Sequence, residues 1–131
     1  MSIRDLQTDI ESAFTTDTWT TLGITMVPAN VKTPTGQEFV RLNVYTPSSL
    51  VDGFGEASDD GFITINIFTK SGQGERRSNE ICDSLDLLFN GKTVGTTQFF
   101  KSSLIKSGED SEDNSLWRVN YQVEFRRPTP L

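Results

Sequence analysis

Residues 61–91 constrain the fold more than any other part of the chain. They open with an alternating segment in which Ile63, Ile65 and Ile67 fall on one side of an extended strand. A turn with two glycines follows, and glycine adopts positive φ without steric cost. Apolar residues then recur at helical spacing until an Asn-Gly pair typical of a helix C-terminus. The helix, expected over about 75–89, has a stripe of Arg77, Ile81, Cys82, Leu85, Leu88 and Phe89. We predict that this strand–turn–helix unit forms the middle of the core.

Other segments with a two-residue period predict further strands. Residues 38–46 place Val40, Leu42 and Val44 on one face, with bulky residues on the other face as well. The last strand is the most regular, with Trp117, Val119, Tyr121, Val123 and Phe125 on one face. Residues 24–27 and 96–105 predict shorter or less regular strands.

The N-terminal segment predicts a helix over about residues 3–15, because Ile3, Leu6, Ile10, Ala13 and Phe14 recur at helical spacing. Together these segments predict an α+β fold. We expect a mixed, mainly antiparallel sheet of four to five strands with two helices packed on one face. The 131 residues match the length of one ordinary domain, and no repeat or linker interrupts them, so we expect a single domain over 1–131.

The chain contains no histidine, and this absence excludes more kinds of catalytic and metal-binding site than any other feature of the composition. Ser-His-Asp and Cys-His nucleophilic systems, histidine general bases and histidine-ligated metals are all excluded. The single cysteine, Cys82, cannot form an internal disulfide, and its place on the helical stripe predicts a buried apolar side chain. We expect no cofactor and no bound metal.

The charge balance is acidic, with 12 basic and 18 acidic residues and a net charge of −6. General nucleic-acid binding depends on neutralising phosphates, so this charge disfavours a DNA-binding protein. The negative net charge is compatible with a protein along which DNA moves without binding. No apolar run approaches 18 residues and no secretory signal is present, so we expect a protein left in the reducing cytoplasm and not in a membrane.

Residues 47–60 predict a long loop between two strands, well beyond the usual hairpin connection of about 2–5 residues. The apolar residues Leu50, Val51 and Phe54 would be poorly placed on a solvated loop. We therefore predict that this loop contacts another subunit.

Two other segments resemble known ligand sites only superficially. Residues 72–77 lie between a strand and a helix, as a dinucleotide fingerprint does, but Arg77 stands where its third glycine would be. We therefore expect a tight turn, from which Arg76 could meet an acidic group on a neighbouring chain.

Residues 107–114 are acidic but lack the ligand spacing of a calcium loop, so a solvated hairpin tip is favoured. The acidic residues are Glu109, Asp110, Glu112 and Asp113.

Carboxylate-pair hydrolysis is the one catalysis that this composition readily permits. The clustered carboxylates all fall in predicted loops, and none has a partner on a neighbouring strand. We expect that the chain is not an enzyme and has no catalytic residues.

A longer pattern of elements and residues runs through nearly the whole chain. It comprises the N-terminal helix, Pro28 and Pro34, the strand Phe39-Val40-Arg41-Leu42, a long loop, Gly61 before Phe62-Ile63-Thr64-Ile65-Asn66-Ile67-Phe68, Gly72-Gln73-Gly74-Glu75, Leu88-Phe89-Asn90-Gly91, and Leu116-Trp117-Arg118-Val119 leading to Val123-Glu124-Phe125-Arg126. This pattern resembles the tail terminator, or tail-completion, proteins of long-tailed bacteriophages.

The resemblance implies a structural subunit of the virion tail, assembled in the host cytoplasm. Such subunits close as a ring, usually a hexamer, on the head-proximal end of the tail tube. The implied partners are copies of the chain itself, the tail tube protein and the head–neck connector protein, while DNA passes through the hole without specific binding. Head-to-tail closure requires two different faces on each subunit.

We expect Leu50, Val51 and Phe54 to form one of these faces, and Arg76 and Arg77, with the outer face of the last strand, to form another. The acidic residues at 109–113 would line the channel or face the tail. Three alternatives remain open: a head–neck connector or adaptor subunit, a small carboxylate-dependent hydrolase, and a ligand-binding module. Connector subunits tend to carry more helix than this chain predicts.

Overall fold

A computed structural model describes residues 3–28, 38–51, 56–70, 76–109 and 116–130. Within these residues the helices are α1 (Ile3–Ser12), α2 (Asp17–Thr20) and α3 (Arg76–Phe89), and a 3-10 turn, Ala13–Thr15, follows α1. The strands are β1 (Thr25–Pro28), β2 (Phe39–Val51), β3 (Glu56–Lys70), β4 (Thr93–Val94), β5 (Thr97–Glu109) and β6 (Leu116–Pro130).

The strands form one mixed sheet in the order β1-β2-β3-β6-β5-β4. β1 pairs with β2 in parallel, and every other neighbouring pair is antiparallel. This confirms the predicted α+β class and the mainly antiparallel sheet. The predicted number of strands was too low, because the described part of the chain has six. It also contains a third helix, α2. Both missed elements, β4 and α2, are too short to show a periodic pattern.

The predicted central strand is confirmed as β3, which lies between β2 and β6. Its residues Ile63, Ile65 and Ile67 are completely buried. Antiparallel pairing supports β3 from both sides, since Ile65 lies opposite Leu42 on β2 and Tyr121 on β6. Alternation places these three isoleucines beneath the helices, in the main core of the protein.

The helices pack on the face of the sheet that carries these isoleucines, which we call the inner face. A chain of aromatic contacts connects them to the strands. Phe14 contacts Trp19 with ring centroids 5.0 Å apart, and also contacts Phe89 of α3 at 5.7 Å. Phe89 packs edge-on against Phe99 of β5 at 5.0 Å. The predicted burial of the α3 stripe is confirmed for Ile81, Cys82, Leu85, Leu88 and Phe89.

The prediction of a long loop at residues 47–60 was wrong. β2 continues to Val51 and β3 begins at Glu56, so only residues 52–55 connect the two strands. The stretch was hard to predict because it is rich in serine, glycine and aspartate and lacks apolar alternation. It forms strand because β3 has a partner on each side here, and pairing overrides weak intrinsic propensity. A break in register lies between Tyr45 and Ser48, where Pro47 cannot donate a ladder hydrogen bond.

The predicted acidic loop at residues 107–114 was also too long at its start. β5 continues through Glu109 and pairs with β6 as far as Trp117. Cross-strand pairing again extends a segment whose polar sequence does not alternate. Asp110, Glu112 and Asp113 lie outside the described residues.

Candidate functional site: the outer face of the sheet

The outer face is the side of the sheet opposite the helices. Near β1 it carries a small buried cluster of Val27, Phe39, Phe68 and Leu116. Farther along β2 and β3, Tyr45 stacks on Phe62 with ring centroids 4.8 Å apart and an angle of 22° between the rings. Tyr45 remains 46% exposed despite this contact. The outer face is therefore apolar and buried near β1, and carries exposed aromatic surface at Tyr45.

A groove of about 310 Å³ opens on this face where β3, β6 and β5 run side by side. Phe62 and Phe100 contribute aromatic surface to it, and Gly61 contributes backbone without a side chain. Phe100 is 45% exposed. The remaining lining residues are Asp60, Glu124, Phe125 and Arg126.

An ion pair borders the same groove. Arg126 donates from Nε to Oδ1 of Asp60 at 2.9 Å and from Nη2 to Oδ2 at 3.2 Å. These paired hydrogen bonds fix the planes of both groups, which is the geometry that suits arginine and carboxylate. Both side chains are partly exposed, so the pair contributes little stability and is accessible to a partner. The groove thus offers aromatic surface beside an oriented ion pair, which suits binding of a protein side chain.

A second polar cluster lies on the inner face and braces α3 against the sheet. Asp86 accepts hydrogen bonds from the Tyr121 hydroxyl at 2.8 Å and from the Ser102 hydroxyl at 2.7 Å. Burial raises the pKa of Tyr121 above its ordinary value, and the neighbouring carboxylate of Asp86 raises this pKa further. The tyrosine therefore stays protonated and acts as a hydrogen-bond donor. This arrangement fixes the helix to β5 and β6 and provides no activated nucleophile.

The two predicted arginines have different surroundings. Arg76 is the first residue of α3, its side chain is 92% exposed, and it pairs with Glu80 at 3.5 Å. Arg77 donates to the backbone carbonyl of Leu22 at 3.0 Å and pairs with Glu80 at 3.2 Å and Glu38 at 3.5 Å. Arg77 thus connects α3 to the segment before β1 and to the start of β2, whereas Arg76 is presented to solvent.

The other predicted interface residues are placed only in part. Leu50 and Val51 lie at the end of β2, paired with Ser58 and Ala57 of β3. Phe54 falls in the connection outside the described residues. Glu109 is the last residue of β5. The structure therefore moves Leu50 and Val51 from a predicted loop onto a strand pair, and their role in an interface stays a prediction.

Tyr45, Phe62 and Phe100 are not among the residues predicted from the sequence to form an interface. A signal for the first two was present, because bulky residues occupy both faces of β2 and β3. Phe100 had no such signal, since it lies in a break of register between Phe99 and Ser102.

Among the described residues no three acidic or cysteine side chains are grouped to hold a metal ion. No helix in the described part of the chain has the length and apolar character needed to span a bilayer.

No family model matches this chain, and no curated protein does. Solved structures do match it over nearly its whole length. The same fold occurs in a virion. A chain from the virion of a native gene transfer agent particle aligns with a TM-score of 0.67 at 14% identity, covering 95% of each chain.

A second solved protein aligns with a TM-score of 0.63 at 17% identity. The alignment covers 97% of this chain and 96% of the other. At these identities the likeness of both structures shows a shared fold.

Proposed function

We propose that this chain is a structural subunit of a phage-like virion and, within that class, a tail terminator. In this proposal copies of the chain close into a ring, with six subunits as the expected number, on the head-proximal end of the tail tube. The ring stops polymerisation of the tube and provides the surface to which the head–neck connector attaches. The chain carries out no catalysis.

One observation carries the proposal. The chain from the gene transfer agent virion matches this protein over 95% of both lengths, so the shared fold is the whole unit and not a common fragment. The residue pattern that resembles tail terminators also spans nearly the whole chain, and it depends on the sequence alone. The two lines of support are independent.

The surface of the subunit fits this role. The exposed Arg76 on α3 and the β2–β3 hairpin with Leu50, Val51 and Phe54 are offered as contacts with neighbouring subunits or with the tube. The net charge of −6 disfavours adhesion of DNA to a channel wall. In the proposal, Glu109 and the acidic residues that follow it line this channel or face the tail.

The proposal is tested by measuring native mass over a concentration series and by imaging the largest species with electron microscopy. We expect a closed ring whose channel is wide enough for duplex DNA. The purified protein is also added to growing tail tubes from its own source. A terminator stops their elongation at substoichiometric amounts and appears at one end only.

A head–neck connector subunit would also form a ring, and the tube assay separates it from a terminator. A connector leaves tube elongation unchanged. A protein that stays monomeric, leaves elongation unchanged and never binds a tube end contradicts the proposal.

A further inference from the structure

The edge of the sheet formed by β5 is only partly occupied. β4 pairs with β5 at Thr97 and Gln98. The segment before β4 bonds to the β5 backbone as far as Ser102, whose amide donates to Asn90 Oδ1 at 2.9 Å. Beyond Ser102, no residue in the described ranges bonds to the outward side of β5, although the strand continues to Glu109. We call residues 103–109 the open edge.

The open edge carries large apolar side chains in contact with solvent. Leu104 is 41% exposed and Ile105 is 58% exposed. Since consecutive residues of a strand point to opposite faces, these two side chains flank the edge on its inner and outer sides. An unpaired backbone between exposed apolar residues is a template for a further strand.

The opposite edge of the sheet is the short strand β1, Thr25–Pro28. Among the described residues its only strand partner is β2. Pro28, the last residue of β1, has no backbone N–H, so a further ladder on this edge would be formed by Thr25–Val27 with Pro28 at its end. β1 therefore offers a second, short edge.

The registers place β1 and the open edge at the same height in the sheet. We use the word row for a set of five residues, one on each of β1, β2, β3, β6 and β5, that are paired from strand to strand. The rows are Thr25–Phe39–Phe68–Arg118–Gly108, Met26–Val40–Ile67–Val119–Lys106, Val27–Arg41–Asn66–Asn120–Ile105 and Pro28–Leu42–Ile65–Tyr121–Leu104. A copy of the sheet shifted sideways along these rows brings its β1 against residues 104–108, the part of β5 that β4 leaves unpaired.

The strand directions also fit this arrangement. β1 runs parallel to β2, and the three following pairs, up to β5, are each antiparallel. β1 and β5 of one subunit therefore run in opposite directions. A head-to-tail neighbour would make an antiparallel junction, which is the commoner kind of strand pair.

We propose that the open edge of β5 pairs with β1 of a second copy of this chain, so that the sheet continues from subunit to subunit. The inference rests on the proposed ring, because a contact between two different edges is the head-to-tail type that closes into rings. At this junction Ile105 lies in the row of Val27 of the neighbouring copy and diagonal to its Thr25. All three residues are on the outer face of the sheet. Thr25 is exposed, so its side chain can be replaced without opening the core.

Four double variants test the junction by exchanging charges. I105K/T25E and I105E/T25K place opposite charges across it and keep the net charge at −6. I105K/T25K and I105E/T25E place like charges there and change the net charge in opposite directions. Residues 25 and 105 are four strand spacings apart within one subunit, roughly 19 Å, so screening weakens their interaction inside a monomer.

We expect both opposite-charge variants to self-associate about five-fold more tightly than both like-charge variants, as measured by sedimentation or native mass spectrometry. The preference holds whichever residue carries the positive charge and whatever the net charge. Thermal unfolding of the four monomers should agree, since neither side chain is in the core. L87K is the matched control, because Leu87 is 66% exposed and lies on α3, on neither edge strand, and its replacement should leave association unchanged.

Each outcome decides between arrangements. Equal association of all four double variants, with wild type still forming rings, overturns this junction and leaves the proposed function intact. If self-association is weakened according to the residue at position 105 alone, β5 pairs with β5 of the neighbouring copy, and the proposed β5–β1 junction is overturned. A wild-type protein that associates neither alone nor on tail tubes contradicts both proposals.

Discussion

A single carboxylate connects parts of the chain that are far apart in sequence. Asp9 of α1 accepts a hydrogen bond from Nη1 of Arg127 on β6 at 2.6 Å. It also lies within 3.4 Å of the Thr96 amide and 3.5 Å of the Thr97 hydroxyl, at the turn between β4 and β5. Since the Arg127 side chain is only 12% exposed, this pair is screened less than a surface ion pair. The contact holds α1 against the far edge of the sheet.

Gly95 approaches this carboxylate so closely that any side chain would displace it. Its φ is +60°, and a β-carbon there would lie 2.5 Å from Cγ of Asp9. We expect G95A to cost about 2–3 kcal/mol in the free energy of unfolding, combining backbone strain with loss of the Asp9–Arg127 contact. Urea denaturation measures the change.

G23A is the matched control for that substitution. Gly23 has a similar φ of +69°, but a β-carbon there meets no atom within 4 Å. The G23A substitution should lower the free energy of unfolding only by the cost of backbone strain, about 1–2 kcal/mol. Equal losses in the two variants would show that Asp9 moves aside freely.

Tyr121 gives the folding stability a dependence on alkaline pH. Its pKa in the folded protein is raised above the ordinary value of 10.0, first by burial and then by Asp86. The unfolded chain therefore loses the phenol proton at a lower pH than the folded protein does. The contribution of Tyr121 to the free energy of unfolding is complete below about pH 10 and is lost as the pH rises further. We expect the free energy of unfolding to fall as the pH rises above about 10. Y121F should show a smaller fall over that range, and an identical fall would rule out this cause.

At the scale of elements, β3 is the strand on which the core depends. Ile65 is fully buried between the helices and the neighbouring strands. We expect I65D to abolish folding, because an unpaired buried charge costs several kcal/mol. T64D provides the control, since Thr64 is the adjacent residue on the outer face and is only half-buried. Circular dichroism should show a folded T64D and an unfolded I65D; a folded I65D would mean that the buried face of β3 is misassigned.

The elements that the sequence predicted well are those in which one face is buried. β3, β6, α1 and α3 have strict periodicity because each packs one side against the core, so their apolar residues are spaced by geometry. The ends of β2, β3 and β5 were missed because cross-strand pairing stabilises them, while their polar residues leave no apolar alternation in the sequence. The candidate site was missed because its residues are far apart in sequence. Asp60 and Arg126 are 66 residues apart, and only the antiparallel register of β3 and β6 brings them together.

At the scale of the whole molecule, the β2–β3 hairpin is the predicted contact with another subunit. We expect the triple variant L50S/V51S/F54S to weaken self-association while the melting temperature changes little, because removal of apolar interface residues affects binding and not the core. Native mass and thermal unfolding are measured on the same samples. L87S is the control for loss of an exposed leucine elsewhere. A large drop in melting temperature with assembly intact would assign these residues to the core instead.

The position of β6 within the sheet has a consequence for synthesis. β6 lies between β3 and β5, yet it is translated after every other strand. Until β6 leaves the ribosome, β3 and β5 each lack one of their two neighbouring strands, and Asp9 has no Arg127 to bind. The nascent chain therefore completes its core only after translation of β6, and the unfinished sheet must be kept from pairing with other nascent chains until then.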